Sequence, residues 1–358
     1  YAFAGKSFRQ VASYEFIATY SFPPENLITL LTPRIFGDLG GADLPYWGRE
    51  LLWEMWVYVG IVPLVLAVMA ALTTRNRIIA QHGSAILVFM VLALGRHTPL
   101  HRFLYDYFPL FNYFRGSSKF SFFALLSIIT LSGVGFDALL YNESSKSGKQ
   151  LKVFAGCLAL FALIGGILFF LLQPGRGELL SRIIAWRVKQ AVIYVMPYGQ
   201  PSIQVDEVWA HIEPQLIGLI GLCLGGLLVA ALWKHLRIWG PVLLAALMLC
   251  DLVPFVIREF PSSPVSLAAV NPEFLHVLKN DRSHSRVIAT PYARNALVPY
   301  RMETALGYVG NMTARYNNFL TATAGLPRDM SMASQLTLSS RYFYPAVRHL
   351  LLDERQNL

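Results

Sequence analysis

The sequence predicts a mainly α fold, a polytopic bundle of about six transmembrane helices, and three observations predict it. Of 358 residues, 55% are hydrophobic and only 14% charged, a balance too apolar for an ordinary soluble domain. Several apolar runs reach about 20 residues, the length that crosses a hydrocarbon core of about 30 Å. Short basic connections alternate along the chain with polar or aromatic ones, the pattern that charge bias imposes on membrane topology.

The runs at 53–72, 78–94, 120–140, 151–172, 215–233 and 238–257 are the expected spans. Arg75 and Arg77 follow the first, Lys146, Lys149 and Lys152 the third, and Lys234 and Arg237 the fifth. Because Lys and Arg collect in cytoplasmic loops, these connections are expected inside. Residues 1–52, 95–119, 173–214 and 258–358 then face outward from a bacterial cytoplasmic membrane. The sixth span delivers the C-terminal segment to that same outer side.

Residues 1–52 hold Pro23, Pro24, Pro33, Pro45 and the pair Gly40 and Gly41, so they read as an outer loop or re-entrant segment rather than a span. Residues 53–257 form the bundle with its outer loops. After Pro261 hydropathy falls and short strand-like runs such as Arg286-Val287-Ile288-Ala289 appear, the start of a soluble mixed α/β outer domain over 258–358. The chain opens at Tyr1 with no initiator Met or targeting pattern, and 258–358 shows no closing pattern, so a piece of a longer protein is expected.

Within 173–214, residues 178–196 gather Leu179, Leu180, Ile183, Ile184, Val188, Ala191, Val192 and Val195 near one face, with Arg182, Arg187 and Lys189 elsewhere. That period suits an amphipathic helix lying in the outer interface, as an anchor sealing the bundle or as a lid over an acceptor path. Gly221 and Gly225 carry the small-xxx-small spacing that lets two helices approach closely.

Several function classes are disfavoured. The net charge of +9 is spread beside apolar segments, where it meets anionic lipid, and no compact basic domain exists for nucleic acid. Cys157, Cys223 and Cys250 are scattered through apolar runs, unlike a disulfide framework or zinc site. Walker-type, dinucleotide, HExxH and GxSxG patterns do not occur, which argues against an ATP-driven transporter and a soluble-type hydrolase. No cofactor is evident, and a divalent metal stays open.

The outer loops carry the chemistry. Arg34, Asp38, Asp43, Tyr46, Trp47, Arg49, Glu50 and Glu54 precede or enter the first span, and the basic aromatic loop 95–119 can meet them above the bundle. Arg115 and Lys119, four apart before a span, suit one helical face at an outer N-terminus, where the helix dipole also favours an anion such as a donor phosphate. Arg34 is a further phosphate contact. Tyr46, Trp47 and Tyr113 can stack on sugar rings, and Asp38, Asp43 or Glu50 can take a hydroxyl proton. Bland readings stand beside these. The aromatics also suit an interfacial belt, Arg96 and Arg102 suit lipid headgroups, and His97 and His101 suit structural hydrogen bonds. Asp251 is either a functional intramembrane carboxylate or a partner for backbone freed by Pro254.

The run 23–37, from Pro23-Pro24-Glu25 to Arg34-Ile35-Phe36-Gly37, resembles the middle of YfhO-type bacterial membrane proteins. So do Tyr46-Trp47-Gly48, Tyr58-Val59-Gly60, and Asn112-Tyr113-Phe114-Arg115-Gly116-Ser117-Ser118-Lys119-Phe120. Gly307-Tyr308 with Arg315-Tyr316 resembles their outer-domain motif. That resemblance implies a branch of the GT-C glycosyltransferases, polytopic enzymes that use polyprenyl-phosphate sugars to glycosylate cell-envelope polymers such as teichoic acids on the outer surface. It carries Arg115 and Lys119 over as donor-phosphate contacts, with Lys119 standing where Arg is common, and it places the usual catalytic carboxylate upstream of Tyr1. The expected function is therefore inverting transfer of a sugar from a polyprenyl phosphate to an envelope acceptor. A lipid-linked sugar transporter or flippase, and a non-catalytic envelope scaffold, remain alternatives.

Overall fold

A computed structural model describes residues 13–38, 44, 46–140, 147–189, 203–236, 239–259, 276, 280, 286–289 and 347–351. The chain divides into two compact units, Ser13–Pro261 and a second made of Tyr1–Ala12 with Ser262–Leu358.

The first unit is helical: α1 Tyr14–Ile17, α2 Leu52–Met55, α3 Ile61–Thr73, α4 Arg77–Ala93, α5 Pro99–Tyr107, α6 Ser121–Leu140, α7 Ser147–Leu172, α8 Leu179–Lys189, α9 Val205–Leu236 and α10 Trp239–Glu259. Four of these, α6, α7, α9 and α10, are long and apolar enough to cross a membrane, whereas α3 and α4 are apolar but shorter. Leu163 and Phe170 of α7, Leu224 and Leu228 of α9, and Leu249 and Ile257 of α10 are all more than half exposed. An apolar surface of that extent calls for lipid rather than water. The protein is thus a membrane protein with transmembrane helices.

Ile61, Val65 and Met69 of α3, Phe154 and Leu158 of α7, Leu219 and Cys223 of α9 and Leu244 of α10 make one buried core. Glycines on several of these helices permit close approach. A Cβ on Gly135 of α6 would strike the Leu66 carbonyl of α3, and one on Gly226 of α9 would come within 2.9 Å of Leu158 of α7. Of the Gly221 and Gly225 pair, a Cβ on Gly225 would lie 3.2 Å from Leu247 of α10, whereas Gly221 faces nothing within 4 Å.

Two helix starts differ from the hydropathy reading for identifiable reasons. The first apolar run does not begin as a span at residue 53. After α2 the chain is extended over 56–60, and Gly60 takes φ +90°, a conformation that ends any helix entering it. α3 then starts at Ile61, whose N–H donates to Asp251 Oδ2 at 2.8 Å, while Asp251 Oδ1 accepts from the Tyr58 hydroxyl. Asp251 therefore caps α3 from α10 and does not bond backbone freed by Pro254. α9 begins at Val205, ten residues before the expected start, and runs through Pro214. Pro214 leaves the Ala210 carbonyl without its helical donor, and the Gln215 side-chain amide donates to the neighbouring His211 carbonyl at 3.0 Å.

The described residues of 13–60 pack against one end of the bundle, where the 94–120 connection and α8 also lie. The Phe22 N–H donates to the Ala93 carbonyl, and the Gly116 and Ser118 N–H groups donate to Thr19 and Tyr20. A second apolar cluster forms there from Ile35, Phe36, Trp47, Leu180, Ile184 and Ile212, with others. The 95–119 connection is not only loop. It contains α5, which turns His101 inward and leaves Leu100, Phe103 and Tyr107 exposed at i, i+3 and i+7. The sequence reading missed this short amphipathic helix because its nine residues are interrupted by Arg102 and Asp106, which pair with each other at 2.8 Å.

In the second unit, β1 Arg286–Ala289 coincides with the strand-like run read from sequence and pairs in parallel with β2 Val347–Leu351. Residues 190–196 of the expected amphipathic helix lie outside the described residues.

Candidate functional site at one end of the bundle

Three polar clusters occupy this end. The first surrounds Asp38, which the turn at 33–37 carries against α9 and the end of α10. Its carboxylate lies 3.5 Å from Arg34 Nη1, 3.7 Å from His211 Nε2 and 3.7 Å from Arg258 Nη2. Arg34 also faces Glu259 at 3.8 Å, and its carbonyl lies 2.7 Å from His211 Nε2. These charges attract at distances too long for good hydrogen bonds. Both Asp38 oxygens and Arg34 Nη1 are buried without a hydrogen-bond partner. Burial, joined by the neighbouring Arg258 charge, pulls Arg34 below the usual arginine range, and Asp38 and Glu259 offset part of that.

Arg34 and Arg258 also line a cavity of about 620 Å³ between the 31–34 segment, Tyr58, α9 and α10. Its walls are mainly apolar, including Leu31, Leu219, Leu222 and Phe255, with Asp251 and Gln215 as further polar groups. Such a shape, apolar within and cationic at one edge, suits an amphiphile with an anionic head.

The second cluster lies between the 25–26 turn, the 46–50 segment and α8. Arg49 donates through Nε and Nη2 to both oxygens of Glu25 at 2.6 and 2.7 Å, a bidentate pair, and its guanidinium lies 5.8 Å from the Trp186 ring centre. The Tyr46 hydroxyl donates to the Arg49 carbonyl at 2.7 Å, and burial raises its pKa above the ordinary phenol range. Glu50, at φ +63°, accepts from the Tyr20 N–H at 3.1 Å. Arg187 is the residue that sequence reasoning placed away from the apolar face. In the structure it follows Leu180 and Ile184 at i+7 and i+3 on the buried face of α8 and is 4% exposed, with Nε and Nη1 unpartnered. Burial pulls its pKa down to about 10, which leaves it charged at neutral pH.

The third cluster holds the pair expected to bind phosphate. Arg115 and Lys119 do not share one helical face: Gly116 between them takes φ +86°, Lys119 sits in a tight turn over Ser117–Phe120, and α6 starts only at Ser121. The Arg115 guanidinium lies over the rings of Phe16 and Tyr20 at 4.8 and 5.0 Å. Lys119 Nζ is 3.7 Å from Glu54, whose other oxygen accepts from Ser118 Oγ at 3.0 Å. Among the described contacts, none joins either residue to Arg34.

Other expected residues fall in varied places. Trp47 is buried against Phe36 at 5.1 Å and has no open face for a sugar. Tyr113 lies in the turn Phe111–Tyr113 at a half-buried position. Asp43 lies outside the described residues. Arg96 donates through Nε to the Ala18 carbonyl at 2.9 Å, so it braces backbone rather than lipid. His101 is buried between the rings of Tyr14 and Phe111. Among the described residues, no group of three or more His, Cys, Asp or Glu side chains converges as metal ligands.

Comparison with known proteins adds no relative: no protein-family model, curated protein or solved structure matches this chain.

Proposed function

We propose that the protein handles a polyprenyl-phosphate sugar and acts in glycosyl transfer to an envelope acceptor on the outer face of a bacterial cytoplasmic membrane. The observation that carries this reading is the cavity of about 620 Å³ with Arg34 and Arg258 among its lining residues. The isoprenoid lies along the apolar wall of α9 and α10, and the phosphate takes the two guanidinium groups. In transfer, the acceptor hydroxyl oxygen attacks the anomeric carbon, and the bond from that carbon to the phosphate oxygen breaks with its electron pair left on the phosphate. The hydroxyl proton passes to a carboxylate, for which Asp38 beside the arginines is the candidate. Stabilising the developing phosphate charge is the largest contribution expected of the cations. The same reading takes α3 and α4 as two further spans, giving six, and sets the Ser13–Pro261 polar end and the C-terminal mixed α/β segment outside. The resemblance to YfhO-type and GT-C proteins supports it through the motifs around Arg34 and Arg115.

The test is donor binding and product formation by the full-length protein in liposomes. Arg34→Gln and Arg258→Gln are each expected to weaken donor affinity about tenfold, the worth of about one charge-assisted hydrogen bond. Unchanged affinity and transfer in both would overturn the assignment, and loss in Arg115→Ala instead would move the phosphate to the third cluster. One observation favours transport as a second reading: Asp251, a carboxylate in a membrane helix, lines the same cavity. Movement of the lipid-linked sugar across the bilayer without a new glycosidic bond would establish that reading in place of transfer.

A further inference from the structure

The second cluster contains a buried guanidinium with two nitrogen atoms, Nε and Nη1, that its surroundings leave without a hydrogen bond. Arg187 is 4% exposed, and a buried guanidinium with unmade hydrogen bonds is costly, so protein interiors rarely leave one. Its carboxylate neighbours hydrogen-bond to other groups: Glu25 accepts from Arg49 through both oxygens, and Glu50 Oε2 accepts from the Tyr20 N–H. Tyr46, the other neighbour, donates its proton to the Arg49 carbonyl. A place in the last turn of α8 favours a cation through the helix dipole, but the dipole supplies no acceptor to Nε or Nη1.

We propose that Arg187, between α8 and the Tyr46 to Glu50 segment, anchors a second binding site that takes a phosphodiester. The formal charges of Glu25, Glu50, Arg49 and Arg187 cancel, so the cluster accommodates a single added negative charge more readily than a doubly charged phosphate. A phosphodiester is a monoanion with two free oxygens, and it satisfies donors that a neutral sugar hydroxyl meets only weakly. The diester belongs either to a lipid headgroup or to a soluble or polymer-borne molecule. The site is separate from the cavity lined by Arg34 and does not depend on the glycosyl-transfer reading.

The experiment uses the full chain in a maltoside detergent, free of lipid and phosphate. Glycerophosphoglycerol, a soluble phosphodiester, and phosphatidylglycerol in mixed micelles are titrated separately while thermal unfolding and amide hydrogen exchange over 179–189 are followed. At least one is expected to raise the melting temperature by about 2–4 °C and to slow exchange in α8. Response to both identifies a headgroup-independent diester, and response to phosphatidylglycerol alone identifies a lipid. Arg187→Gln is expected to lose both effects, Arg187→Lys to shift the titration midpoint about tenfold, and Arg182→Gln, which removes an exposed cation of the same helix, to respond as the unaltered chain does. Should Arg187→Gln fail to fold, the lysine variant and the exchange data on the unaltered chain still decide. The proposal is overturned if neither diester has an effect, if the lysine variant titrates like the unaltered chain, or if Arg182→Gln abolishes the response.

Discussion

Arg49 and Arg34 are both half-buried arginines beside carboxylates, yet their situations differ. Arg49 makes two short, parallel hydrogen bonds to Glu25, a geometry in which charge and direction agree. Arg34 sees Asp38 and Glu259 only at 3.5 and 3.8 Å, so charge is balanced while hydrogen bonding is not. The first pattern braces structure, and the second leaves both Asp38 oxygens and Arg34 Nη1 buried without a hydrogen bond. His101 shows the cost of burial most directly. It is 3% exposed with Nδ1 unpartnered, and burial together with the Arg96 charge holds its pKa below the ordinary histidine value. His97 is displaced in the same direction, by burial first and then by Arg49. As pH falls below about 6.5 the unfolded chain takes up these protons before the folded one does. Stability is therefore full above that pH and declines as pH drops toward the folded-state values. Thermal melts in detergent between pH about 7.5 and about 5.5 are expected to show this decline, with a shallower slope in His101→Gln. A melting temperature flat across that window would contradict it.

Among the elements, the α3 and α6 pair depends on backbone contact. Gly135 lets the Leu66 carbonyl approach so closely that no Cβ fits, and Ser132 one turn earlier donates to the Pro63 carbonyl at 2.7 Å. Gly135→Val is expected to separate the two helices and destabilise the bundle by about 1–3 kcal/mol, measured as lowered denaturation temperature. Gly133, which meets nothing within 4 Å, serves as the control, and equal loss from Gly133→Val would refute the contact argument. These elements also show what a sequence can and cannot disclose. The apolar cores of α6, α7, α9 and α10 were legible because lipid exposure demands apolar residues all round a helix. The break at Gly60 was not, since a positive φ leaves no mark distinct from any other glycine. Nor was the burial of Arg187, because a cation at i+7 from Leu180 looks like a polar edge until the 46–50 segment closes over it. The Arg115 and Lys119 spacing misled for a related reason: four residues imply a shared face only if the backbone between them is helical, and Gly116 interrupts it. Arg34 and Asp38 were legible as candidates, but their companions His211 and Arg258 are distant in sequence and met them only through folding.

At the scale of the molecule, the Ser13–Pro261 unit carries its own cores and all three polar clusters. Expressed as residues 13–261, it is expected to keep the helical content and detergent-solubilised homogeneity of that part of the full chain, checked by circular dichroism and gel filtration. Aggregation of this fragment, with the full chain well behaved, would show that the second unit is required for folding. The bond from Asp251 to Ile61 spans 190 residues of sequence. During synthesis, α3 therefore emerges with its first turn uncapped, and the acceptor it needs arrives only when α10 enters the bilayer. Assembly has a built-in closing event: until α10 is in place, the Ile61 N–H at the start of α3 lacks this acceptor, and a chain interrupted before Asp251 never supplies it.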